Sequence, residues 1–410
     1  MTHIKNVCLL YLLMSATACN NTADTKTSTE GKAWAKGTYA YDADFLKKHT
    51  QKVVELMSND RSSRILLSAD YQGRVMTSTA SGDSGLSFGW LNYDLISAPQ
   101  KKKQFNPVGG EERFWLGPEG GQYSIYFKQN DSFNFNHWQV PALVDTVTYE
   151  ITQSDRTSAL FNKTASVTNY SGTVFNINIE RKISMLTKAD IETKLKTPLS
   201  ADIQSVAYQT ENTLKNVGTT DWSKDKGLLS IWLLGMFTPT PKTTVIIPFA
   251  PIPDARSFIT DNYFGVIPAD RLIVKDSVLY FKCDGNYRSK IGLSPKIAKP
   301  MAAAYDFEHN VLTLVLPTIN KDAAYLNSKW ELQKQPYKGD VINSYNDGKL
   351  DNGTQMGPFY EVESSSPALE LKAGKSATYT QVTLHLQGSY NSLRDLVKNI
   401  LQVDLDELKR

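Results

Sequence analysis

The sequence predicts a mainly β fold that forms one large domain over residues 36–410. Short segments of alternating apolar and polar residues recur along this range, with Gly, Asn, Asp or Pro between them. Hydrophobic residues make up 41% of the 410 residues and aromatic residues 10%, which is enough for a large core. No change in composition divides residues 36–410, and no repeat of about 20–50 residues indicates a solenoid or propeller.

Charge and motifs exclude several functions. The formal net charge is +3, and no basic run is dense enough to neutralise a phosphate backbone, so we expect no nucleic acid partner. The chain has no Gly-x-Ser-x-Gly, His-Glu-x-x-His or Cys-x-x-Cys motif. Its His and Cys residues are not clustered as metal ligands, so we predict neither a metal nor a cofactor. The alternative is a hard cation such as calcium, held by Asp and Glu oxygens.

Residues 1–18 are predicted to be a lipoprotein signal peptide. Lys5 precedes an apolar run, and small residues then lead to Cys19, a pattern that resembles the lipobox of bacterial lipoproteins. The alternative is an ordinary secretory peptide with an incidental Cys. Polar residues 19–35 predict a flexible tether behind the lipidated Cys19. We therefore expect a lipid anchor in a bacterial cell envelope, in the periplasm or on the outer-membrane surface.

The domain is predicted to begin with a helix over Tyr39–Ser58, with Asp42 or Asp44 as its N-cap. The later segments alternate as strands do. Strands are expected at Arg64–Ala69, Tyr71–Thr79, Tyr123–Lys128, Thr146–Thr152, Ala165–Asn169, Phe175–Ile179, Val206–Val217, Leu228–Phe237, Thr244–Ile247, Gly265–Ile267, Arg271–Lys282, Ala302–Phe307, Val311–Leu316, Phe359–Ser364 and Thr378–Gln387. The polar segment Leu186–Leu199 carries one possible helical turn. Cys283 is expected to fill the core. The apolar spacing in Leu393–Leu401 predicts a closing amphipathic helix.

The stretch Gly109–Gln122 carries most of the chemically useful residues. Five glycines and a proline surround a Trp, an Arg and three carboxylates. Glycine lets the backbone turn sharply and approach a partner closely. Alternation places Arg113 and Trp115 on one strand face, so with Glu119 and Gln122 they are candidates for the floor of a binding cleft. The alternative is a buried structural group in which an Arg–Glu pair lies under the Trp.

Three segments together resemble the galactose-mutarotase-like super-sandwich superfamily. They are Gly73–Met76, Gly109–Gln122, and Gly357–Glu363 with the Leu371–Lys375 turn behind it. Gly109–Phe127 and Gly73–Ile96 more closely resemble an uncharacterised family of lipoproteins from Bacteroidota-type bacteria. The resemblance implies a large antiparallel β-super-sandwich with a few short helices and a sugar-sized cleft on one face. Members include aldose epimerases and non-catalytic carbohydrate-binding relatives.

Within this resemblance, Glu363 matches the late-strand Glu that acts as base in mutarotases. Glu361 lies on the same strand face, about 6.5–7 Å away by the rise of a strand. Two carboxylates so close raise one pKa if the face is partly dry, which suits a base. The alternative is that Glu361 and Glu363 both face solvent.

The family's acid is a His, and the corresponding region here, Gly218–Phe249, contains none. His137 is the alternative candidate, beside a Trp138 that is suited to stacking on a sugar; a Tyr is another. His385 is expected either in solvent or in the cleft. Asn212, in a predicted strand, is a further candidate for ligand binding.

The leading hypothesis is therefore a lipid-anchored envelope protein that binds carbohydrate in an accessory role. The alternatives are an aldose epimerase that uses Glu363 as base, and a structural envelope lipoprotein without a ligand. The hypothesis requires that Arg113, Trp115, His137, Glu361 and Glu363 converge on one surface.

Overall fold

Antiparallel strands form most of the structure, a computed structural model that describes residues 33–350 and 352–409. The predicted signal peptide and Cys19 lie outside the described residues. The α-helices of this part are α1 Tyr39–His49, α2 Tyr93–Ser97, α3 Ala142–Asp145, α4 Lys188–Leu195 and α5 Tyr390–Leu401. Its strands are β1 Val53–Met57, β2 Arg64–Ser68, β3 Arg74–Thr79, β4 Arg113–Gly117, β5 Glu150–Ser154, β6 Ser158–Thr168, β7 Val174–Met185, β8 Gln204–Asn216, β9 Ser230–Phe237, β10 Thr243–Pro248, β11 Ile259–Thr260, β12 Leu272–Val274, β13 Val278–Lys282, β14 Ser289–Leu293, β15 Ala302–Asp306, β16 Val311–Pro317, β17 Ile342–Asn346, β18 Tyr360–Ser365 and β19 Ser376–Gln387.

The strands form three sheets. The ten-stranded sheet has the order β12-β13-β10-β15-β16-β19-β8-β7-β6-β5, and the six-stranded sheet has the order β11-β14-β17-β18-β9-β4. The small sheet contains β1, β2 and β3. Neighbouring strands pair antiparallel in all three. The predicted mainly β super-sandwich with a few short helices is therefore confirmed.

The six-stranded sheet packs one face, its inner face, against the ten-stranded sheet. Phe114 and Leu233 of this face share a buried cluster with Phe161 and Ile179 of the ten-stranded sheet. Because successive side chains on a strand point to opposite sides, the intervening residues lie on the other side, the outer face. Trp34–Arg410 form one compact unit.

The helix predicted over Tyr39–Ser58 is wrong in its second half. Helix α1 ends at His49, and Val53 begins strand β1, which pairs with β2. Val53 and its neighbour are both β-branched, which favours a strand over a helix. The N-cap residue is Thr38 rather than either predicted Asp, because Asp42 is buried within the helix and accepts hydrogen bonds from other segments.

Helix α5 confirms the predicted closing amphipathic helix. Its buried residues Leu393 and Val397 lie in one cluster with Leu312 and Leu384 of the ten-stranded sheet. This cluster is distinct from the one between the two large sheets. Helix α5 therefore covers the side of the ten-stranded sheet that faces away from the six-stranded sheet.

Several strand predictions are wrong. The single strand predicted at Arg271–Lys282 is the antiparallel pair β12 and β13, and the strand predicted from Thr146 begins only at Glu150. Residues 123–128 form a buried irregular segment, because Ser124 closes a turn with Gly121 and its hydroxyl accepts from the Tyr126 N–H. Such side-chain bonds replace a strand ladder. Residues 265–267 are also irregular: Gly265 has φ +99° and Val266 is 82% exposed.

Cys283 fills the core as predicted. It is fully buried among apolar residues directly after β13, and its nearest polar neighbour is the Ser344 hydroxyl. Burial raises the pKa of the Cys283 thiol, which disfavours the thiolate that a nucleophile needs.

Candidate functional site

Charged and aromatic side chains gather on the outer face of the six-stranded sheet. Arg113 of β4 and Glu363 of β18 both lie opposite Leu234 of the intervening β9. Residues two apart on a strand share a face, so Trp115 and Glu361 lie on the outer face as well. The sheet thus brings together residues 248 positions apart in the chain.

Arg113 and Glu361 form a buried ion pair. Their side chains are 3% and 9% exposed, and Arg113 Nη2 donates to Glu361 Oε1. Burial raises the pKa of Glu361; the Arg113 guanidinium opposes this rise, and the neighbouring Glu363 adds to it. The glycine-rich turn and the late acidic strand therefore meet directly. The alternative in which both glutamates face solvent is wrong, because both are buried.

Glu363 has its own cationic partner. Lys290 Nζ lies 2.9 Å from Glu363 Oε2, and the Trp232 indole N–H donates to the same oxygen at 3.0 Å. The ammonium also lies 5.2 Å from the Trp232 ring centroid and 5.7 Å from that of Tyr263. Burial lowers the pKa of Lys290, but the surrounding carboxylates, Glu363 first, outweigh this and raise it. Lys290 is therefore charged beside two aromatic rings.

Glu119 lies half-buried at the rim of this group. It forms no ion pair within the described residues. Burial raises the pKa of Glu119 to about 7. The Lys290 ammonium opposes this rise and the Glu363 carboxylate adds to it. The indoles of Trp330 and Trp138 also lie close enough to oppose it. At neutral pH, Glu119 is therefore balanced between its acid and its carboxylate.

This balance predicts a pH-dependent stability. The pKa of Glu119 is about 7 in the folded chain, whereas an ordinary unfolded Glu has a pKa of about 4.3. Between these values the folded state keeps a proton that the unfolded state has released, so stability falls as pH rises through this window. The Tm of wild type relative to that of Glu119→Gln should therefore fall as the pH rises from about 4 to about 8, as measured by circular dichroism.

The exposed Glu331, in the same region of the molecule, supplies the control. Glu331→Gln should keep a constant Tm difference from wild type across this range. A constant difference for Glu119→Gln would contradict the raised pKa.

Residues 327–335 form a loop that borders the group and carries Trp330. Gln122 holds this loop through two hydrogen bonds with the Gln333 backbone, one in each direction and both 2.9 Å long. Gly120 and Gly121 allow the close approach, because a Cβ at Gly120 would lie 2.3 Å from the Lys329 carbonyl oxygen. The glycines of the central stretch therefore seat this loop.

Tyr263 and Asp340 complete the rim. The Tyr263 hydroxyl donates to Asp340 Oδ2 at 2.6 Å, and burial raises the pKa of Asp340. Strand β14 allows this contact at Gly292, where a Cβ would lie 2.1 Å from the same Asp340 oxygen. The rim thus carries an aromatic ring and a carboxyl group.

The two predicted aromatic binding residues are buried. Trp115 is 4% exposed, and its ring lies 4.9 Å from the Arg113 guanidinium and 5.5 Å from the Trp232 ring. Trp138 is 6% exposed and stacks on Trp330 with ring centroids 5.8 Å apart. Trp330, which is only half-buried, is therefore the indole available at the surface.

Three other predicted or considered residues lie away from this group. His137 is exposed and lines a surface pocket with Tyr126, and it forms no ion pair within residues 33–350 and 352–409. Asn212 is fully buried between the two large sheets, where it accepts from Arg181 Nε at 2.8 Å. His385 lies between the sheets too, 3.2 Å from Glu111, and is neither in solvent nor on the outer face.

Several residues of this site had only a weak signal in the sequence. Trp232 lies in the predicted strand Leu228–Phe237, but the whole strand is apolar, so its outer face could not be identified. Lys290 lies in β14, a strand that the sequence does not predict. Its Lys and Gly residues give no strand pattern. Trp330 lies in a loop, where no periodicity reports orientation.

The structure indicates no metal centre and no helical membrane span in the part that it describes. Within residues 33–350 and 352–409, no three His, Cys, Asp or Glu residues are grouped to hold a metal. No helix in the same residues is long and apolar enough to cross a bilayer.

The fold and the outer face define an antiparallel β protein with two large sheets, one small sheet and a partly buried group of paired charges and indoles. The chain belongs to a family of unknown function, DUF6786, whose model matches residues 37–410. No curated protein matches the chain in sequence.

Solved structures similar to this chain include galactose mutarotase-like proteins. The Slr1438 protein of Synechocystis sp. PCC 6803 has a TM-score of 0.48 and 13% identity, over 82% of this chain and 96% of that chain. A galactose mutarotase-like protein from Lactobacillus casei ATCC 334 has a TM-score of 0.44 and 10% identity, over 82% and 99%. A galactose mutarotase related enzyme from Lactobacillus acidophilus has a TM-score of 0.42 and 10% identity, over 82% and 97%.

Proposed function

We propose that the outer face of the six-stranded sheet binds a carbohydrate and that the protein has a binding or accessory role. The observation that carries this proposal is the carboxyl pair Glu361 and Glu363, held by Arg113 and Lys290 near the half-exposed Trp330. Sugar hydroxyls both donate and accept hydrogen bonds. A site with carboxylates and cations side by side matches both roles.

Unused hydrogen-bonding capacity supports the same proposal. Arg113 Nε and Trp115 Nε1 are buried donors without an acceptor among the described residues. Glu363 Oε1 is a buried acceptor without an N–H or hydroxyl donor among those residues, and the Glu361 carboxyl group lies beside it. Buried polar groups normally have partners, so hydroxyls supplied by a ligand are a chemically matched complement.

Trp330 supplies the apolar part of the proposed site. Its indole is backed by Trp138, and its loop is tied down by Gln122. An aromatic ring held in place in this way offers a large contact area at low cost in conformational entropy. It is suited to packing against the apolar face of a sugar ring.

Trp330→Ala should therefore weaken carbohydrate binding by more than tenfold, the effect of removing about 2 kcal/mol at a tryptophan hot spot. Glycan-array screening followed by calorimetry on the strongest ligand measures this. Leu332→Ala is the matched control, because Leu332 lies in the same loop and is 68% exposed. Equal binding by the two variants would remove Trp330 from the site. No signal on any glycan would favour the structural envelope role.

A sugar epimerase is the second candidate, and the two raised pKa values favour it. Acid–base catalysis works best when the pKa of each group is near the working pH; burial raises the pKa of Glu361 above its ordinary value and raises that of Glu119 to about 7. Glu363 would act as base, and Glu119 is a nearer proton donor than the distant His137. NMR measurement of aldose anomerisation tests this candidate. Equilibration no faster than in buffer, or unchanged by Glu363→Gln, would eliminate it.

We also propose that Cys19 anchors the protein by lipid in a bacterial cell envelope, with the membrane as a partner. The support is the apolar run and the small residues before Cys19. The resemblance to lipoproteins of Bacteroidota-type bacteria remains a prediction. Mass spectrometry of the membrane fraction should find an acylated N-terminal Cys19, and Cys19→Ser should release the protein. An unmodified, soluble wild-type chain would contradict the anchor.

A further inference from the structure

The outer face of the six-stranded sheet continues one step beyond Lys290. Arg288 lies two positions before Lys290 and directly before β14, so backbone alternation turns its side chain to the same side. The contacts agree with this placement. The guanidinium carbon of Arg288 lies 3.7 Å from the Phe264 ring centroid, and Phe264 packs edge-on against Tyr345 at 6.0 Å. Tyr345 is the residue opposite Lys290 in the sheet.

The consecutive aromatic residues Tyr263 and Phe264 lie against the two cations Lys290 and Arg288. Tyr263 lies beside Lys290, with 5.7 Å between the ammonium and the ring centroid. Phe264 lies over Arg288, and 45% of it is exposed. The outer face therefore carries two adjacent positions of the same kind, each with a cation against an aromatic ring.

The two positions differ in their negative charges. Lys290 is paired with Glu363, whereas Arg288 forms no ion pair within residues 33–350 and 352–409. Asp347 directly follows β17, the strand next to β14. Its two carboxylate oxygens accept hydrogen bonds from the Tyr345 hydroxyl at 2.7 Å and from the Gly357 N–H at 3.0 Å. The half-buried guanidinium of Arg288 donates a hydrogen bond to the Tyr345 hydroxyl, and its remaining N–H groups keep their capacity for an external anion.

We infer that the ligand is an acidic oligosaccharide, at least two sugar units long, with a uronic acid carboxylate at Arg288. This inference rests on the proposed carbohydrate-binding function. A planar guanidinium binds a carboxylate through two parallel hydrogen bonds, a geometry that a Lys at this position would not offer. Phe264 provides the ring on which the uronate packs, while the next sugar unit lies against Lys290 and Glu363.

The test is a panel of uronate-containing oligosaccharides and the same oligosaccharides after reduction of their carboxyl groups to alcohols. The strongest ligands of the wild-type chain should contain uronate, and carboxyl reduction should weaken their binding by about 10- to 100-fold, the range for one charged hydrogen-bonding contact. Arg288→Gln should weaken uronate binding by the same factor and should weaken binding of the reduced forms far less. Arg256→Gln, an exposed Arg paired with Asp261, is the control and should change neither.

The outcomes separate the two proposals. If acidic and reduced ligands bind equally well, and Arg288→Gln affects neither, the uronate inference is overturned while carbohydrate binding stands. If no member of the panel or of a neutral glycan array binds, the proposed function itself fails. Thermal unfolding supplies the control for folding. Arg288→Gln should unfold at the Tm of the wild type, so that a loss of binding reports the removed side chain and not a destabilised domain.

Discussion

Replacing Arg181 by methionine is expected to lower the free energy of unfolding by about 3–5 kcal/mol. Arg181 and Glu112 form an ion pair of 2.9 Å between the two large sheets, and both side chains are 0% exposed. The substitution removes the cation and leaves the Glu112 carboxylate buried. Gln381 still donates to it at 3.0 Å and the Thr210 hydroxyl donates as well, but neutral donors do not replace a guanidinium. Urea unfolding followed by fluorescence measures the loss.

The exposed pair Arg256–Asp261 provides the matched control. The Arg256 side chain is 54% exposed, so Arg256→Met should cost less than about 1 kcal/mol. Similar losses for the two variants would mean that burial of the Arg181 pair contributes little. That result would contradict the interior described here.

Replacing Arg113 by methionine is expected to have an effect of similar size and to abolish ligand binding. The Arg113–Glu361 pair is also buried, so the change leaves a carboxyl group without its cation and should cost about 3–5 kcal/mol. It also removes the link between β4 and β18 at the proposed site. Urea unfolding and glycan binding on the same preparation measure both effects.

A double variant separates the charge from the packing. In Arg113→Met combined with Glu361→Gln no buried charge of this pair remains, so part of the lost stability should return. Carbohydrate binding should stay lost, because the donor and the carboxylate are both gone. A double variant as unstable as the sum of the single changes would show that the two side chains act independently.

Much of the fold follows from local patterns. Strict alternation in Thr378–Gln387 and the polar and apolar alternation of Phe175–Ile179 predict strands that the structure contains. Helix α5 is equally plain, because its apolar residues recur at helical spacing. These elements bury one face and expose the other, which is the condition under which periodicity reports structure.

The failures have physical causes as well. Tyr123–Lys128 alternates like a strand, but the turn at Gly121 folds it over β4, where its side chains bond locally. Strand β14 has no clear strand pattern in the sequence, because Lys and Gly are both uncommon in strands. Lys290 instead pairs with the Glu363 carboxylate, and Gly292 allows the Asp340 carboxylate to approach the backbone closely. Such local exceptions are typical of sites where side-chain chemistry outweighs propensity.

The convergence that the binding hypothesis requires holds for Arg113, Trp115, Glu361 and Glu363 and fails for His137. The ion pair between Arg113 and Glu361 is not a prediction from the sequence, where the nearby Glu119 is the partner considered for Arg113. Trp330 and Lys290 could not be assigned, because only tertiary contacts bring their segments to β18. Asn212, in contrast, has the right chemistry and lies in the interior between the sheets.

The most direct test of the account is to observe the tryptophan indole N–H signals by NMR while a bound saccharide is added. The signals of Trp232, which donates to Glu363, and of Trp330 should shift in proportion to occupancy. Trp222 is buried against Phe175 away from the outer face, and its signal should stay in place. Binding that shifts Trp222 and leaves Trp232 and Trp330 unchanged would contradict a carbohydrate site on the outer face of the six-stranded sheet.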